Sequence, residues 1–145
     1  QYTGMKVIGF LMIRTNEMNI GTVSDATGVP AKTIRYYEEI GLIEPPLRAE
    51  NGYRSYREKD VETLRFIQRS RRLGFSVKDV GNLLTLWQDK HRASSQVKSL
   101  ALEHIEEIEQ RIEELNSIRE TLIRLTDSCH GDHRADCPIL DELSK

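Results

Sequence analysis

The chain has 145 residues, 38% of them hydrophobic and 30% charged, with a formal net charge of −2. That is the make-up of an ordinary soluble protein of one or two small domains, with room for only a modest core. Aromatics are sparse at 6%, which argues against a pocket-lined enzyme, and two cysteines cannot build a disulfide scaffold.

The near-neutral total hides a split. Residues 18–72 carry ten Lys and Arg against eight Asp and Glu, a net of +2, whereas residues 94–128 carry four against eight, a net of −4. A mildly basic half followed by an acidic half implies two separate tasks. Ahead of both, "KVIGFLMI" (6–13) places a cation before an apolar run, but the run is too short to span a membrane and "RTNE" is a poor cleavage context. Residues 1–17 therefore read as an extra segment, a tag remnant or upstream translation ahead of Met18, and the cytoplasm is the expected compartment.

From Asn19 the pattern turns helical, with Ile20, Val23 and Ala26 at helical spacing and Gly28 stopping the run. "VPAKTIRYYEEIGLI" follows, with Pro30 suited to a helix start and Gly41 to its end. Ile34 and Tyr37 share one face, which leaves Lys32, Arg35 and Tyr36 pointing elsewhere. Two short helices joined around a glycine read as a helix-turn-helix, although any small helical bundle has such corners.

The next stretch, "PPLRAENGYRSY", breaks the helix at Pro45 and Pro46 and offers Asn51-Gly52, a strong hairpin turn signal, flanked by Arg48, Tyr53, Arg54 and Tyr56. So short and polar a hairpin would not fold alone. Beside a helix-turn-helix it makes sense as a wing that puts Arg and Tyr against a phosphate backbone. Tyr37 and Tyr56 also suit the core, whereas Arg35, Tyr36, Tyr53 and Arg54 suit the surface.

"EKDVETLRFIQRSRRLGFSVKDVGNLLTLW" reads as two helices. Val61, Leu64, Phe66, Ile67 and Leu73 supply the apolar stripe of the first, which Gly74 ends. Ser76 with Asp79 opens the second, which runs to about Trp87. Arg69, Arg71 and Arg72 either complement the first helix's dipole or touch DNA. After the polar joint "QDKHRASS", the chain runs to Ser128 without Pro or Gly, about 50 Å if helical throughout. Ala101, Ile105, Ile108, Ile112, Leu115 and Leu122 mark a coiled-coil seam. A helix this long has little in its own chain to pack against, so a second copy is the natural cover.

The two cysteines follow, in "SCHGDHRADCP" (128–138), with seven residues between Cys129 and Cys137. A disulfide is disfavoured in a reducing compartment. Structural zinc usually needs four ligands and would have to recruit His130, His133 or aspartates. A dithiol redox switch is open as well. Soft thiolates also select Cu(I) and similar monovalent ions, which are content with two sulfurs.

"TIRYYEEIGLI", "ENGYRSY", "RRLGFSVKDV" and the terminal "CHGDHRADCPI" resemble, in order and spacing, the MerR family of metal-responsive transcription regulators, over residues 19–145. The last motif resembles the copper-efflux branch (CueR/HmrR type). The resemblance implies a mainly α fold. A winged helix-turn-helix DNA-binding domain would span 18–87, with a linker at 88–93. An antiparallel coiled-coil dimerisation helix would span 94–128, and a metal-binding loop with a short terminal helix 129–145.

It implies Cys129 and Cys137 as ligands of Cu(I), or of Ag(I) or Au(I). Ser94 stands where divalent-metal branches carry a third cysteine. Lys32, Arg35 and Tyr36 would enter the major groove of promoter DNA, with Tyr53, Arg54 and Tyr56 holding the backbone. The chain would be a homodimer acting with RNA polymerase, with no membrane partner and no enzymatic activity. A divalent-metal sensor of the same family is the near alternative. A copper-buffering protein is the alternative from another class, and it predicts no sequence-specific DNA binding.

Overall fold

The structure, a computed structural model, describes residues 18–48, 52, 54–129, 131 and 135–145. The chain divides into two compact units, the second beginning at Ser94.

In the first unit, α1 (Ile20–Thr27) starts where the Asn19 side chain accepts a hydrogen bond from the Thr22 backbone at 2.8 Å. It stops at Gly28, whose φ of 77° lies in the left-handed region that glycine tolerates. Its inward face is Val23 and Thr27, not Ala26 as the three-residue spacing suggested. The step after Val23 is four residues, which keeps the stripe on one side of a 3.6-residue helix. The buried Thr27 hydroxyl donates to the Val23 carbonyl (2.8 Å) and accepts from the Val29 amide (3.2 Å), so it leaves no polar atom unpaired at the corner.

Helix α2 (Ala31–Glu39) begins directly after Pro30, which occupies the cap position, and turns Ile34 and Tyr37 into the core. A two-stranded antiparallel ribbon follows: β1 (Leu47–Arg48) pairs with β2 (Arg54–Ser55), with Leu47 opposite Ser55 and Arg48 opposite Arg54. Gly52 (φ 84°) serves the turn, and its carbonyl accepts from Arg48 Nη1 at 2.8 Å. Beyond β2, Tyr56 exchanges two backbone hydrogen bonds with Met18, at 2.7 and 2.8 Å, so the ribbon is anchored to the start of the described chain.

Helix α3 (Glu58–Arg72) packs on both α1 and α4 (Val77–Gln88). Val61, Leu64 and Ile67 form its buried stripe, whereas Leu73, expected on that stripe, lies beyond the last helical turn and is exposed. Ser76 caps α4 by accepting from the Asp79 amide at 3.1 Å. Phe66 stacks on Trp87 with ring centroids 4.4 Å apart. The joint after α4 is ordered by its own bonds: Asp89 Oδ1 accepts from the His91 amide, and Arg92 Nη1 donates to the carbonyls of Trp87 and Asp89.

The second unit is α5 (Ser94–Asp127), 34 residues with none buried, followed by α6 (Pro138–Leu143), which packs on it. Leu64, wholly buried on the central helix of the first unit, reports on that unit's cohesion. Leu64→Ala is expected to lower its stability by about 2–5 kcal/mol, read as an earlier midpoint in urea unfolding followed by Trp87 fluorescence.

Candidate nucleic-acid interface and thiol pair

Helix α2 has two working faces. Ile34 and Tyr37 lock it to the core, and that rotation leaves Lys32, Arg35 and Tyr36 exposed, Tyr36 by 50%. The Tyr36 ring lies 6.0 Å from that of Tyr37, tilted by 47°, so one tyrosine leads outward from the other. The three exposed side chains offer two cations and a hydroxyl on successive turns of one short helix. Such a surface suits a groove edged by phosphates.

The ribbon lies against the same helix. Arg35, Glu38, Glu39, Pro45, Pro46, Arg48 and Arg54 line an open groove of about 310 Å³ between them. Arg54 Nε donates to Glu38 Oε1 at 3.0 Å, and the Tyr56 hydroxyl donates to Glu38 Oε2. Both carboxylate oxygens of Glu38 are thus occupied, and its side chain is only 8% exposed against 30% for Arg54.

Tyr56 requires a correction. It is 1% exposed, so its ring belongs to the core and its hydroxyl to Glu38, and it presents no surface to a DNA backbone. Burial, and then the bond to and charge of Glu38, push its hydroxyl well above the ordinary tyrosine range. Tyr53 lies outside the described residues, as do Asn51, His130 and His133. Glu38 was not read from the sequence as a site residue. The available signal was its spacing: it stands four residues after Ile34 and one after Tyr37, an acidic side chain on the flank of an inward face. Of the basic cluster, Arg71 is spent locally, donating to the Phe75 carbonyl at 2.6 Å, whereas Arg69 and Arg72 are exposed.

In the second unit the thiols sit at two helix ends. Ser128 closes α5 by donating its hydroxyl to the carbonyls of Arg124 and Leu125, and the Cys129 amide donates to the Thr126 carbonyl at 3.1 Å. Cys137 precedes Pro138 at the start of α6, and its carbonyl accepts from the Asp141 amide at 3.0 Å. Gly131 (φ 65°) turns the loop between them. Both cysteines are half-buried and free. Among the described residues, no group of three or more His, Cys, Asp or Glu side chains gathers as a metal site. Two thiols suit a soft ion better than a hard one.

The fold and this surface define a winged helix-turn-helix DNA-binding protein with a long helix appended. The MerR HTH family regulatory protein domain matches residues 18–86, and the domain described as MerR, DNA binding matches residues 61–125. A heavy metal-dependent transcription regulator of Rhizobium meliloti (strain 1021) is 54% identical over 127 residues, 88% of this chain and 86% of that protein. The transcriptional regulator HmrR of Rhizobium leguminosarum bv. viciae is 55% identical over 127 residues, 88% of this chain and 98% of that protein. Among solved structures, the transcription regulator PbrR691 from Ralstonia metallidurans CH34 in complex with lead(II) is similar with a TM-score of 0.76. It is 29% identical, with 87% of this chain and 98% of that chain covered. The chain belongs to the MerR family of transcription regulators, and within it resembles members named HmrR and CueR.

The raised Tyr56 value has a consequence at high pH. The folded chain keeps that proton after the unfolded chain, with its ordinary tyrosine value of about 10, has released it. The corresponding stability is complete below about pH 10 and is lost as pH rises above that towards the folded value. The urea midpoint of the wild type is therefore expected to fall as pH rises from about 10 to 11. Tyr56→Phe is expected to start about 1 kcal/mol lower at neutral pH and to decline less over the same range.

Proposed function

We propose that this protein is a Cu(I)-responsive transcriptional regulator that binds promoter DNA as a homodimer. On binding metal it distorts that DNA so that RNA polymerase can use the promoter, and it thereby activates copper-efflux or detoxification genes in the cytoplasm. Among the described residues no helix is long and apolar enough to cross a membrane.

The observation that carries the metal assignment is the pair of free, half-buried thiols at the end of α5 and the start of α6. Cys129 and Cys137 would hold the ion, with Ag(I) and Au(I) sharing the softness that suits them. Bound there, a soft monovalent ion would supply a cross-link between two sulfur atoms. The chain's part is to present those sulfurs from two helix ends, so that closing the loop biases one of two arrangements of the protein. A ligand shifts such an equilibrium only by its differential affinity for the two states. Ser94 opens α5 with a hydroxyl in place of a third thiolate.

The DNA assignment rests on Lys32, Arg35 and Tyr36 on the exposed face of α2, with Arg54, and with Tyr53 as read from the sequence, holding the backbone. The dimer rests on α5. Ile105, Ile108, Ile112, Leu115 and Leu122 are each 42–56% exposed on a helix with no buried residue. Towards its end, Leu115, Ile118, Leu122 and Ile123 line an apolar groove of about 330 Å³. Apolar side chains at coiled-coil spacing require a partner helix, and a second copy carries the matching seam.

Anaerobic titration of the reduced protein followed by X-ray absorption is expected to show two sulfur neighbours at Cu(I), one ion per chain and weak zinc binding. A tight zinc site with nitrogen or oxygen neighbours would transfer the assignment to a divalent sensor using His130 or His133. Cys129→Ser is expected to abolish copper induction of a reporter while promoter affinity stays within about twofold; induction that survives it would remove Cys129 from the ligand set. Ile108→Glu combined with Ile112→Glu is expected to convert the dimer to monomer in sedimentation equilibrium and to weaken promoter binding by more than about tenfold.

A further inference from the structure

Glu38 is out of place on a surface that meets DNA. It is a carboxylate on the helix carrying Lys32, Arg35 and Tyr36, in a groove lined by three arginines, where an anion would repel phosphate. Yet its side chain is 8% exposed, and both its oxygens are taken, by Arg54 Nε of the ribbon on one and by the hydroxyl of Tyr56, just after the ribbon, on the other. These partners lie 16 and 18 residues away in sequence, so the bonds are tertiary. They are also the side-chain hydrogen bonds, among the described residues, that join α2 to the ribbon. Tyr56 is itself buried in the core and tied through its backbone to Met18, so the carboxylate is fastened to the core.

A guanidinium is a planar fork with more than one usable edge. Its Nε bond to Glu38 holds Arg54 at a set angle, and Arg54 lines the open groove together with Arg35 and Arg48. The geometry points to Glu38 as the positioning residue of the wing: from α2 it fixes Arg54, and with it the ribbon, at the spacing from Lys32, Arg35 and Tyr36 that one DNA backbone requires. This inference rests on the DNA-binding reading above and adds a residue to it that would never touch the nucleic acid. Tyr56, with its hydroxyl held protonated, remains a donor to Glu38 throughout the neutral range.

The role is separable from simple charge and from simple folding. If Glu38 acted only as a charge, removing it would tighten binding to a polyanion. If it acted only to hold the fold, its loss would weaken binding by the same factor whether or not Arg54 were present.

The test is a double-mutant cycle in the full chain, with a duplex that the wild type selects from a randomised library as the probe. Glu38→Ala is expected to weaken binding about tenfold in the wild-type background and less than about twofold in an Arg54→Ala background. Arg54→Ala itself should lower the slope of log affinity against log salt by about one. Should Glu38→Ala melt below the assay temperature, Glu38→Gln takes its place in the same cycle, with a smaller loss and the same dependence on Arg54. Equal losses in both backgrounds, unchanged binding or tighter binding would each overturn the assignment. A wild-type chain that selects no duplex would instead overturn the DNA-binding reading itself, and this inference with it.

Discussion

One apolar stripe holds the first unit together. Val61, Leu64 and Ile67 recur on the inward side of α3, wholly or almost wholly buried, and both α1 and α4 pack against that helix. Burying such side chains contributes about 1.5–3 kcal/mol each, and in a unit this small a few of them decide whether it folds. Because α1 is held by α3, and α2 is held by α1 through the corner at Gly28, the rotation of α2 about its own axis is set. That rotation is what makes Ile34 and Tyr37 core and Lys32, Arg35 and Tyr36 surface. The exposed face of α2, proposed above to meet DNA, is therefore set by packing elsewhere.

The second unit obeys the opposite rule. Helix α5 is long, acidic and devoid of buried residues, and its apolar seam is half open. A helix stabilised by tertiary packing needs a surface to pack on, and the rest of its unit is one short helix and a loop. The partner helix proposed above would therefore contribute to the folding of this half as well. The acidic excess on its remaining faces keeps those faces in water and away from a polyanion, while the cations gather in the first unit.

Among the described residues, the features at the ends of the thiol loop are local: the last turn of α5 closed by Ser128, a left-handed glycine at 131, and a helix restarted at Pro138. Each cysteine is held by a backbone hydrogen bond at a helix end, Cys129 through its amide and Cys137 through its carbonyl. In the metal-binding role proposed above, cysteines ordered in this way would lose less entropy on closing around an ion.

Much of this was readable one residue at a time. Helix starts and stops, at Asn19, Gly28, Gly41 and Ser76, depend on backbone groups within three or four residues, so sequence determines them locally. The seam of α5 and the cysteine spacing were legible for the same reason, being periodic or contiguous. The misreadings had two sources, the exact step and end of a helix and contacts with distant segments. Ala26, at helical spacing with Val23, faces outward because the inward step is four residues, and Leu73 lies past the end of α3; Tyr56, read both as core and as a DNA contact, is core. Glu38 passed unnoticed because its partners are 16 and 18 residues away across the ribbon. The sequence by itself determined the elements, the family and the candidate ligands. Only the tertiary structure decided which side chains of α2 and the ribbon face outward and which hold one another, because burial and ion pairing arise from contacts between segments that local spacing does not encode.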